Sequence, residues 1–289
     1  YLVYQTRLTR VSGRSLSFLV TPNHRCLIEA PRYPGRVSVM EAEDLPTRAK
    51  ILVAATLSEG SPSVNGDWAE LIGWFQSDGY REGATERACI CQSLEANPEK
   101  VKRIGQLLMA CQVSFTKRIQ QSIYKDKPYR MVVFRLGKQA SQKLQKNTNP
   151  LLWSTGLRQR FLNGFIGGDG HIRKSDDRTM ITQKSHKTIS MLQAVATSLG
   201  YATTLTREKN RDIHRLYLNK TRWRTCHSSK GSLKREELYT GIIWCPRTKF
   251  TTWVARRNGK AFITGNTFSS EMVELCIKAG SPEKVCNVC

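Results

Sequence analysis

The sequence lacks a long hydrophobic run. Its longest apolar stretch, residues 51–57, is far shorter than the ~20 residues that a membrane-spanning helix needs. No basic segment followed by an apolar segment precedes this stretch, so the pattern of a secretory signal is also missing. We therefore expect a protein that neither spans a membrane nor is exported.

Acidic residues are scarce. The 289-residue chain has 23 Asp and Glu against 46 Lys and Arg, which gives a formal net charge of +23. Residues 114–160 alone hold eleven Lys or Arg and one acid, Asp126. Lysine and arginine bind phosphates and release counterions from nucleic acid, so this charge predicts a polyanionic partner. An anionic membrane surface would also attract such charge.

The nine cysteines are odd in number and scattered, unlike the paired framework of a small secreted domain. We therefore expect a cytoplasmic protein whose thiols mostly pack in its interior. At 289 residues the chain is about twice the usual domain length, which favours two domains or one domain with a large insertion. It begins at Tyr1 without an initiator methionine, and we expect it to be part of a longer protein.

Two segments of the chain share one design. In the first, Asp67 begins a capping-box pattern, and apolar residues recur at helical spacing until Asp78, which glycine follows. In the second, Ser154 or Thr155 caps a predicted helix that ends at Asp169, which glycine also follows. A single Asp-Gly at a helix end is usually a turn, but the repetition points to a shared function.

The segments after both endings are also alike. Each continues with a strand-like stretch, a helix with periodic apolar residues and a β-rich pair. These stretches are residues 88–91, 98–111 and 129–136 in the first copy, and 180–182, 189–199 and 213–218 in the second. The sequence therefore predicts an α+β domain of two αββαββ copies.

Both predicted helices carry small residues four positions apart, namely Gly73 and Ser77 in the first and Gly164 and Gly168 in the second. Such strips let two helix backbones approach closely. Packing along them would bring Asp78 and Asp169 together, and adjacent carboxylates repel unless a cation neutralises them. Oxygen ligands with room for phosphate suit Mg²⁺, which can serve phosphodiester hydrolysis. We predict a Mg²⁺ site at these two aspartates, with the backbone carbonyls of Ser77 and Gly168 as further ligands.

Residues 71–79 (LIGWFQSDG) and 162–170 (LNGFIGGDG) resemble the paired LAGLIDADG motifs of homing endonucleases. The resemblance covers about residues 65–225. It implies a monomeric, pseudo-twofold nuclease whose saddle-shaped β-sheets lie in the major groove of a long, asymmetric double-stranded DNA target and which cuts both strands.

The same resemblance implies roles for individual residues. The motif aspartates carry over to Asp78 and Asp169 as catalytic, metal-binding residues. Family members also use basic residues near the scissile phosphates, and Lys146 and Lys184 are candidates by position. The alternative role for either lysine is a phosphate contact outside the catalytic step.

The flanking segments carry a second pattern. Residues 20–24 (VTPNH) end a strand-like run, and residues 253–267 finish in Gly-Asn-Thr. Each feature is weak alone, but together they resemble an intein, a self-excising protein element whose splicing domain is interrupted by a nuclease.

The intein resemblance implies that Thr21 and His24 polarise the amino-terminal splice junction. It also implies that the side-chain amide of Asn266 attacks its own carbonyl and releases the downstream segment, and that the hydroxyl of Thr267 is the acceptor nucleophile. Thr264 is a candidate donor near this junction, although a threonine at a strand end needs no such role.

The sequence departs from most inteins in three ways. The amino-terminal nucleophile is absent from the chain, Gly265 stands where His is usual, and Cys245 stands where Asp is more usual. Cys245 is either a catalytic assistant or a buried thiol.

Together the resemblances imply a mixed architecture. A mainly β, horseshoe-like splicing domain of the Hint type, truncated at its start, is expected from residues 1–65 and 226–266, with the nuclease inserted at 66–225. Residues 267–289 would be covalently attached host protein (an extein), and they somewhat resemble the large chain of ribonucleotide reductase.

Two other functions stay open. The chain could be a splicing element with an inactive nuclease relic, although it retains both motif aspartates. It could also be an RNA-binding intron maturase, although such a protein needs no splicing flanks.

Overall fold

The structure of the protein is a computed structural model. It describes residues 3–57, 60, 64–83, 85–124, 127–173, 178–208, 210–226, 233–243, 246, 248 and 251–265.

The chain has five α-helices in these described residues, α1 Gly66–Asp78, α2 Pro98–Ala110, α3 Lys138–Lys143, α4 Thr155–Asp169 and α5 His186–Ser198. A 3₁₀ turn, Pro150–Leu152, precedes α4. The first nine strands are β1 Val3–Ser12, β2 Ser17–Val20, β3 Arg25–Glu29, β4 Val37–Glu41, β5 Lys50–Leu52, β6 Gly79–Arg81, β7 Ala88–Ser93, β8 Phe115–Tyr124 and β9 Lys127–Leu136. The others are β10 Gly170–Arg173, β11 Arg178–Gln183, β12 Ala202–Arg207, β13 His214–Asn219, β14 Trp223–Thr225, β15 Leu233–Ile242, β16 Thr252–Arg257 and β17 Lys260–Gly265.

Residues 54–222 form one compact unit, which contains the same element order twice. The first copy runs α1, β6, β7, α2, β8, β9, and the second runs α4, β10, β11, α5, β12, β13. Each copy folds its strands into an antiparallel sheet with the same strand order, β6-β7-β9-β8 and β10-β11-β13-β12. The predicted αββαββ repeat is therefore present in both halves of this unit.

Helices α1 and α4 pack against each other through glycine. A methyl group on Gly73 would overlap the carbonyl oxygen of Phe161, and a methyl group on Gly164 would overlap the carbonyl oxygen of Glu70. Gly73 and Gly164 occupy equivalent positions of the two helices, and so do Glu70 and Phe161. The two contacts are therefore related by a pseudo-twofold axis. The predicted close approach along the small-residue strips is confirmed.

The cap of α1 differs from the prediction. Asn65 is the N-cap, and its side-chain oxygen accepts a hydrogen bond from the backbone N–H of Trp68 at 2.8 Å. Asp67 and Glu70 form ion pairs with Arg160 of α4 instead, at 3.1 and 2.8 Å. The capping-box interpretation of Asp67 was wrong because a cation from the other copy takes both acids. Such a partner cannot be seen from local spacing.

The chain before residue 54 and after residue 222 forms the other compact unit, and its described elements are all strands. One sheet has the order β15-β1-β2. Elsewhere β3 pairs with β4, β5 and β17, while β16 pairs with β17 and β14 with β5. Phe18 and Phe262 pack in its core with ring centroids 5.4 Å apart. This unit therefore brings strands from both ends of the chain together.

None of the helices in the described parts of the chain is long and apolar enough to cross a membrane. The described cysteines are unpaired thiols, and four of them, at positions 26, 89, 111 and 226, are buried.

Replacing Gly73 by alanine is expected to destabilise the 54–222 unit by about 2–3 kcal/mol, because the added methyl forces α1 away from α4. Gly156→Ala is the matched control. It lies in the first turn of α4, where a methyl meets no atom within 4 Å, so it is expected to be neutral or stabilising by up to ~1 kcal/mol. Guanidinium unfolding measures both changes. Equal stabilities of the two variants would contradict the glycine contact.

Candidate functional site

Asp78 and Asp169 lie together at one end of the α1–α4 pair. Each aspartate is the last residue of its helix, and the glycine that follows it begins a strand. A methyl group on Gly168 would overlap the hydroxyl of Ser77 and would lie 2.5 Å from Oδ2 of Asp78. Because consecutive Cα atoms are 3.8 Å apart, the Asp78 carboxylate approaches the backbone next to Asp169.

The two carboxylates share a poorly solvated space. Burial raises the pKa of Asp78 to about 6, and the negative charge of Asp169 adds to the increase. Burial also raises the pKa of Asp169. Two half-buried acids that oppose each other's ionisation are stabilised in their ionised form by a nearby positive charge.

Each aspartate is held by a glutamine from its own copy. The side-chain N–H of Gln92 in β7 donates to Oδ2 of Asp78 at 2.5 Å, and that of Gln183 in β11 donates to Oδ2 of Asp169. Both glutamines end or nearly end the second strand of their copy, and both follow their aspartate by 14 residues. Neither glutamine was predicted from the sequence, although this equal spacing from the two motifs was a usable signal.

Two lysines supply the positive charge near the carboxylates. Lys146 donates to the carbonyl of Gln76 at 3.0 Å, and Lys100 donates to the carbonyl of Gly168 at 3.3 Å. The charges of both lysines lower the pKa values of Asp78 and Asp169 and so partly offset the effect of burial. Lys100 was not foreseen, because nothing in the spacing of α2 relates it to the end of α4.

The other predicted residues of this site stand apart from the carboxylates or have backbone roles. Lys184 follows β11 and is exposed, and the charges acting on Asp169 come from Lys146 and Lys100 rather than from Lys184. The Ser77 hydroxyl donates to the carbonyls of Gly73 and Trp74 at 3.2 and 3.0 Å. The roles of Ser77 and Gly168 as metal ligands, and of Lys184 in catalysis, stay predictions.

The oxygen donors of the site suit a hard divalent cation such as Mg²⁺. Within the described residues there is no cluster of three or more His, Cys, Asp or Glu side chains that could hold a metal by itself. Mg²⁺ is commonly bound through one or two carboxylates together with water and substrate phosphates. Asp78 and Asp169 fit that pattern.

A second group of predicted residues meets in the other unit. His24 follows β2, and its backbone N–H donates to the carbonyl of Thr21 at 3.1 Å. Its Nε2 lies 2.5 Å from the hydroxyl oxygen of Thr264 in β17, and this hydroxyl donates to the carbonyl of Arg25 at 3.3 Å. The Thr-x-x-His turn thus contacts the penultimate residue of the last described strand.

Burial lowers the pKa of His24 to about 4, so its imidazole is neutral at physiological pH. Gly265 follows Thr264, and a methyl group there would lie 2.9 Å from Cβ of Arg25. Neutral hydrogen bonding and close backbone packing therefore fix the end of β17. The predicted residues Cys245, Asn266 and Thr267 lie outside the described residues.

Comparison with known proteins finds a family model that matches one segment of the chain. Residues 157–236 match the model of the LAGLIDADG-like domain. The chain therefore contains a LAGLIDADG-like region, which covers most of the second αββαββ copy. No curated protein matches the chain.

Solved structures that match part of this chain have low sequence identity to it. Full-length DUF199/WhiA from Thermatoga maritima is 15% identical, with 56% of this chain and 52% of that chain covered and a TM-score of 0.42. The chain thus spans about half the length of that relative. The homing endonuclease I-DmoI in complex with DNA and Mn is 16% identical, with 53% and 89% covered and a TM-score of 0.41. I-DmoI with DNA and Ca is 17% identical, with 53% and 83% covered and a TM-score of 0.40.

Replacing Asp78 by asparagine is expected to stabilise the metal-free protein at pH 7.5 by about 1–3 kcal/mol. The raised pKa means that the folded state resists ionisation, so the cost is present at neutral pH and shrinks as pH falls from about 6 toward 4. Excess MgCl₂ should raise the melting temperature of the wild type more than that of the variant.

Thermal unfolding across pH, with and without MgCl₂, measures these effects. Asp212→Asn is the matched control, because Asp212 is exposed and pairs only at the surface with Arg207. A destabilised Asp78→Asn protein at pH 7.5 would contradict the raised pKa of Asp78 in the folded state.

Proposed function

We propose that the 54–222 unit is a site-specific, Mg²⁺-dependent endonuclease of the LAGLIDADG homing type that cuts both strands of DNA. The observation that carries this proposal is the meeting of Asp78 and Asp169 at the end of the glycine-packed helices. Their poorly solvated carboxylates call for a divalent cation, and a phosphodiester supplies the remaining oxygen ligands.

Asp78, Asp169 and the residues around them would have different roles in cleavage. Asp78 and Asp169 would hold Mg²⁺, which when bound supplies Lewis-acid stabilisation of charge at the scissile phosphate. Gln92 and Gln183 keep each carboxylate in one orientation through their hydrogen bonds. Lys146, which lies near both acids, would stabilise the charge that develops on the phosphate oxygens.

The two αββαββ copies favour a long DNA target. In each copy four strands pair antiparallel in the same order, and a pseudo-twofold pair of such strand sets matches the local symmetry of duplex DNA. The sequences of the two copies differ, so each would contact a different half-site and the target would be asymmetric. Because both copies lie in one chain, a monomer would suffice. The net charge of +23 favours phosphate contacts.

The Asp78→Asn and Asp169→Asn double variant is expected to lose cleavage, because it removes both anionic ligands, and to keep its affinity for DNA. Cleavage is scored on a DNA library that contains the target, and affinity by electrophoretic mobility shift. Asp212→Asn should cut like the wild type. Unchanged cleavage by the double variant would refute the site assignment.

The same assay separates two alternatives. A wild-type protein that binds the target but never cuts it would be an inactive nuclease relic. A protein that binds RNA and not DNA would be an intron maturase. The retained pair of aspartates favours the active nuclease over both.

We also propose that the other unit is a protein-splicing element of the intein type with a Hint-like fold, acting in the cytoplasm. The hydrogen bond between His24 and Thr264 supports this second proposal, because it joins two predicted splicing residues that lie 240 positions apart. Because His24 is buried and neutral, it is better suited to polarise an amide through a hydrogen bond than to stabilise it with a positive charge.

Release of the downstream segment would follow from cyclisation. The side-chain nitrogen of Asn266 would attack its own carbonyl carbon, the peptide bond to Thr267 would break, and the amine of Thr267 would leave with a proton. The hydroxyl of Thr267 would serve as the acceptor in the full reaction, and Cys245 could assist. Residues 267–289 would then belong to a host protein, for which we propose a ribonucleotide reductase large chain.

Asn266→Ala is expected to abolish release of a reporter protein fused after residue 289, because alanine has no side-chain nucleophile. The measurement is the fraction of the fusion cleaved after residue 266, read by mass spectrometry. Asn210→Ala, an exposed asparagine in the other unit, should release the reporter like the wild type. Continued release by Asn266→Ala would refute the splicing proposal.

A further inference from the structure

A cavity of about 670 Å³ opens beside the second αββαββ copy, against α1 and α2. Its floor is largely apolar and includes Ile166, Ile172 and Leu218. Ile172 is 53% exposed, which is unusual for an isoleucine on the helix-facing side of a sheet. The nuclease mechanism uses none of these side chains.

The pseudo-twofold relation identifies the matching place in the first copy. Ile172 pairs with Thr179 in the β10–β11 hairpin, as Arg81 pairs with Ala88 in the β6–β7 hairpin. Gly167 of α4 likewise corresponds to Gln76 of α1, two residues before the motif aspartate in each case. The matching place in the first copy is therefore lined by Gln76, Arg81 and Ala88.

In the first copy this place is filled by α3 and the residues after it. Arg81 donates to the carbonyls of Ser141 and Leu144 at 2.8 and 2.6 Å, and the backbone N–H of Ala88 donates to the Ser141 hydroxyl at 3.0 Å. Leu144 is fully buried in the core of the unit.

The side chain of Gln76 holds the segment that follows α3. It donates to the carbonyls of Gln145 and Thr148 at 3.3 and 2.9 Å. The molecule itself thus shows which kind of occupant fits this place, namely a short helix with the chain that follows it.

The second copy has no corresponding helix among the described residues. After β13 the chain reaches β14 within four residues, so nothing equivalent to α3 follows. The second copy also lacks the two side chains that donate hydrogen bonds to the α3 segment. Ile172 occupies the position equivalent to Arg81, and Gly167 occupies the position equivalent to Gln76. The indole N–H of Trp74, which lines the cavity and is 3% exposed, has no hydrogen-bond partner in the described part of the chain.

We propose that this cavity binds a short amphipathic helix of a partner protein, one that carries acidic residues. The occupant would place its apolar side on Ile166, Ile172 and Leu218. Its carboxylates would face Lys100 and Lys220 at the rim, where Glu99 is the one acid among the lining residues. The proposal does not depend on nuclease or splicing activity.

A synthetic peptide tests the proposal. The probe has the sequence of residues 137–149, the segment that fills the matching place, with its three lysines replaced by glutamate and a fluorescent label added. Fluorescence anisotropy with the full chain is expected to show saturable one-to-one binding. The unmodified, basic peptide should bind at least about tenfold more weakly, since it places lysines against a basic rim.

Two variants locate the binding. Ile172→Asp should weaken binding of the acidic probe by about tenfold or more, because it puts a carboxylate into the apolar floor. Ile119→Asp in β8 is the matched control, as Ile119 is 57% exposed, and it should bind like the wild type. Lys220→Glu is a second test that leaves the floor intact, and it should also weaken the acidic probe.

Three results would overturn the proposal. They are absence of saturable binding, equal loss of binding in Ile119→Asp and Ile172→Asp, and displacement of the probe by duplex DNA. The last result would assign the cavity to nucleic acid instead.

Discussion

The close approach of α1 and α4 is the constraint on which the 54–222 unit depends. Two glycines remove the side chains that would separate the helices, and each places the backbone of one helix against a carbonyl of the other. Because the contact is reciprocal, it fixes both the distance between the two αββαββ copies and their pseudo-twofold relation. The ends of the helices, and hence Asp78 and Asp169, meet as a consequence of it.

That geometry has an electrostatic consequence. Two acids that would be ionised in water are brought into a poorly solvated space, where burial and mutual repulsion raise the pKa of Asp78. The surrounding glutamines and Lys100 and Lys146 offset this cost only in part. The fold therefore keeps the site short of positive charge, which favours a divalent cation beside the two carboxylates.

The two copies are alike in backbone and unlike in detail. The first copy is completed by α3, whereas the second leaves the matching place as a cavity with an apolar floor. Arg81 in the first copy and Ile172 in the second occupy equivalent positions. Arg81 donates hydrogen bonds that hold α3, whereas Ile172 is part of an apolar surface. A duplicated fold can thus keep one function at its axis and acquire different surfaces at its two flanks.

The sequence by itself determined the repeat, the small-residue strips and the position of both aspartates, because helical periodicity and the Asp-Gly endings are local patterns. It did not determine the cap of α1, since Arg160 from the other copy takes Asp67, nor the place of Lys100, which reaches Gly168 across 68 positions. The contact between His24 and Thr264, the pKa of Asp78 and the cavity beside α4 were likewise decided by tertiary structure. Burial and long-range charge depend on which segments pack together, and neighbouring residues in the chain do not encode that.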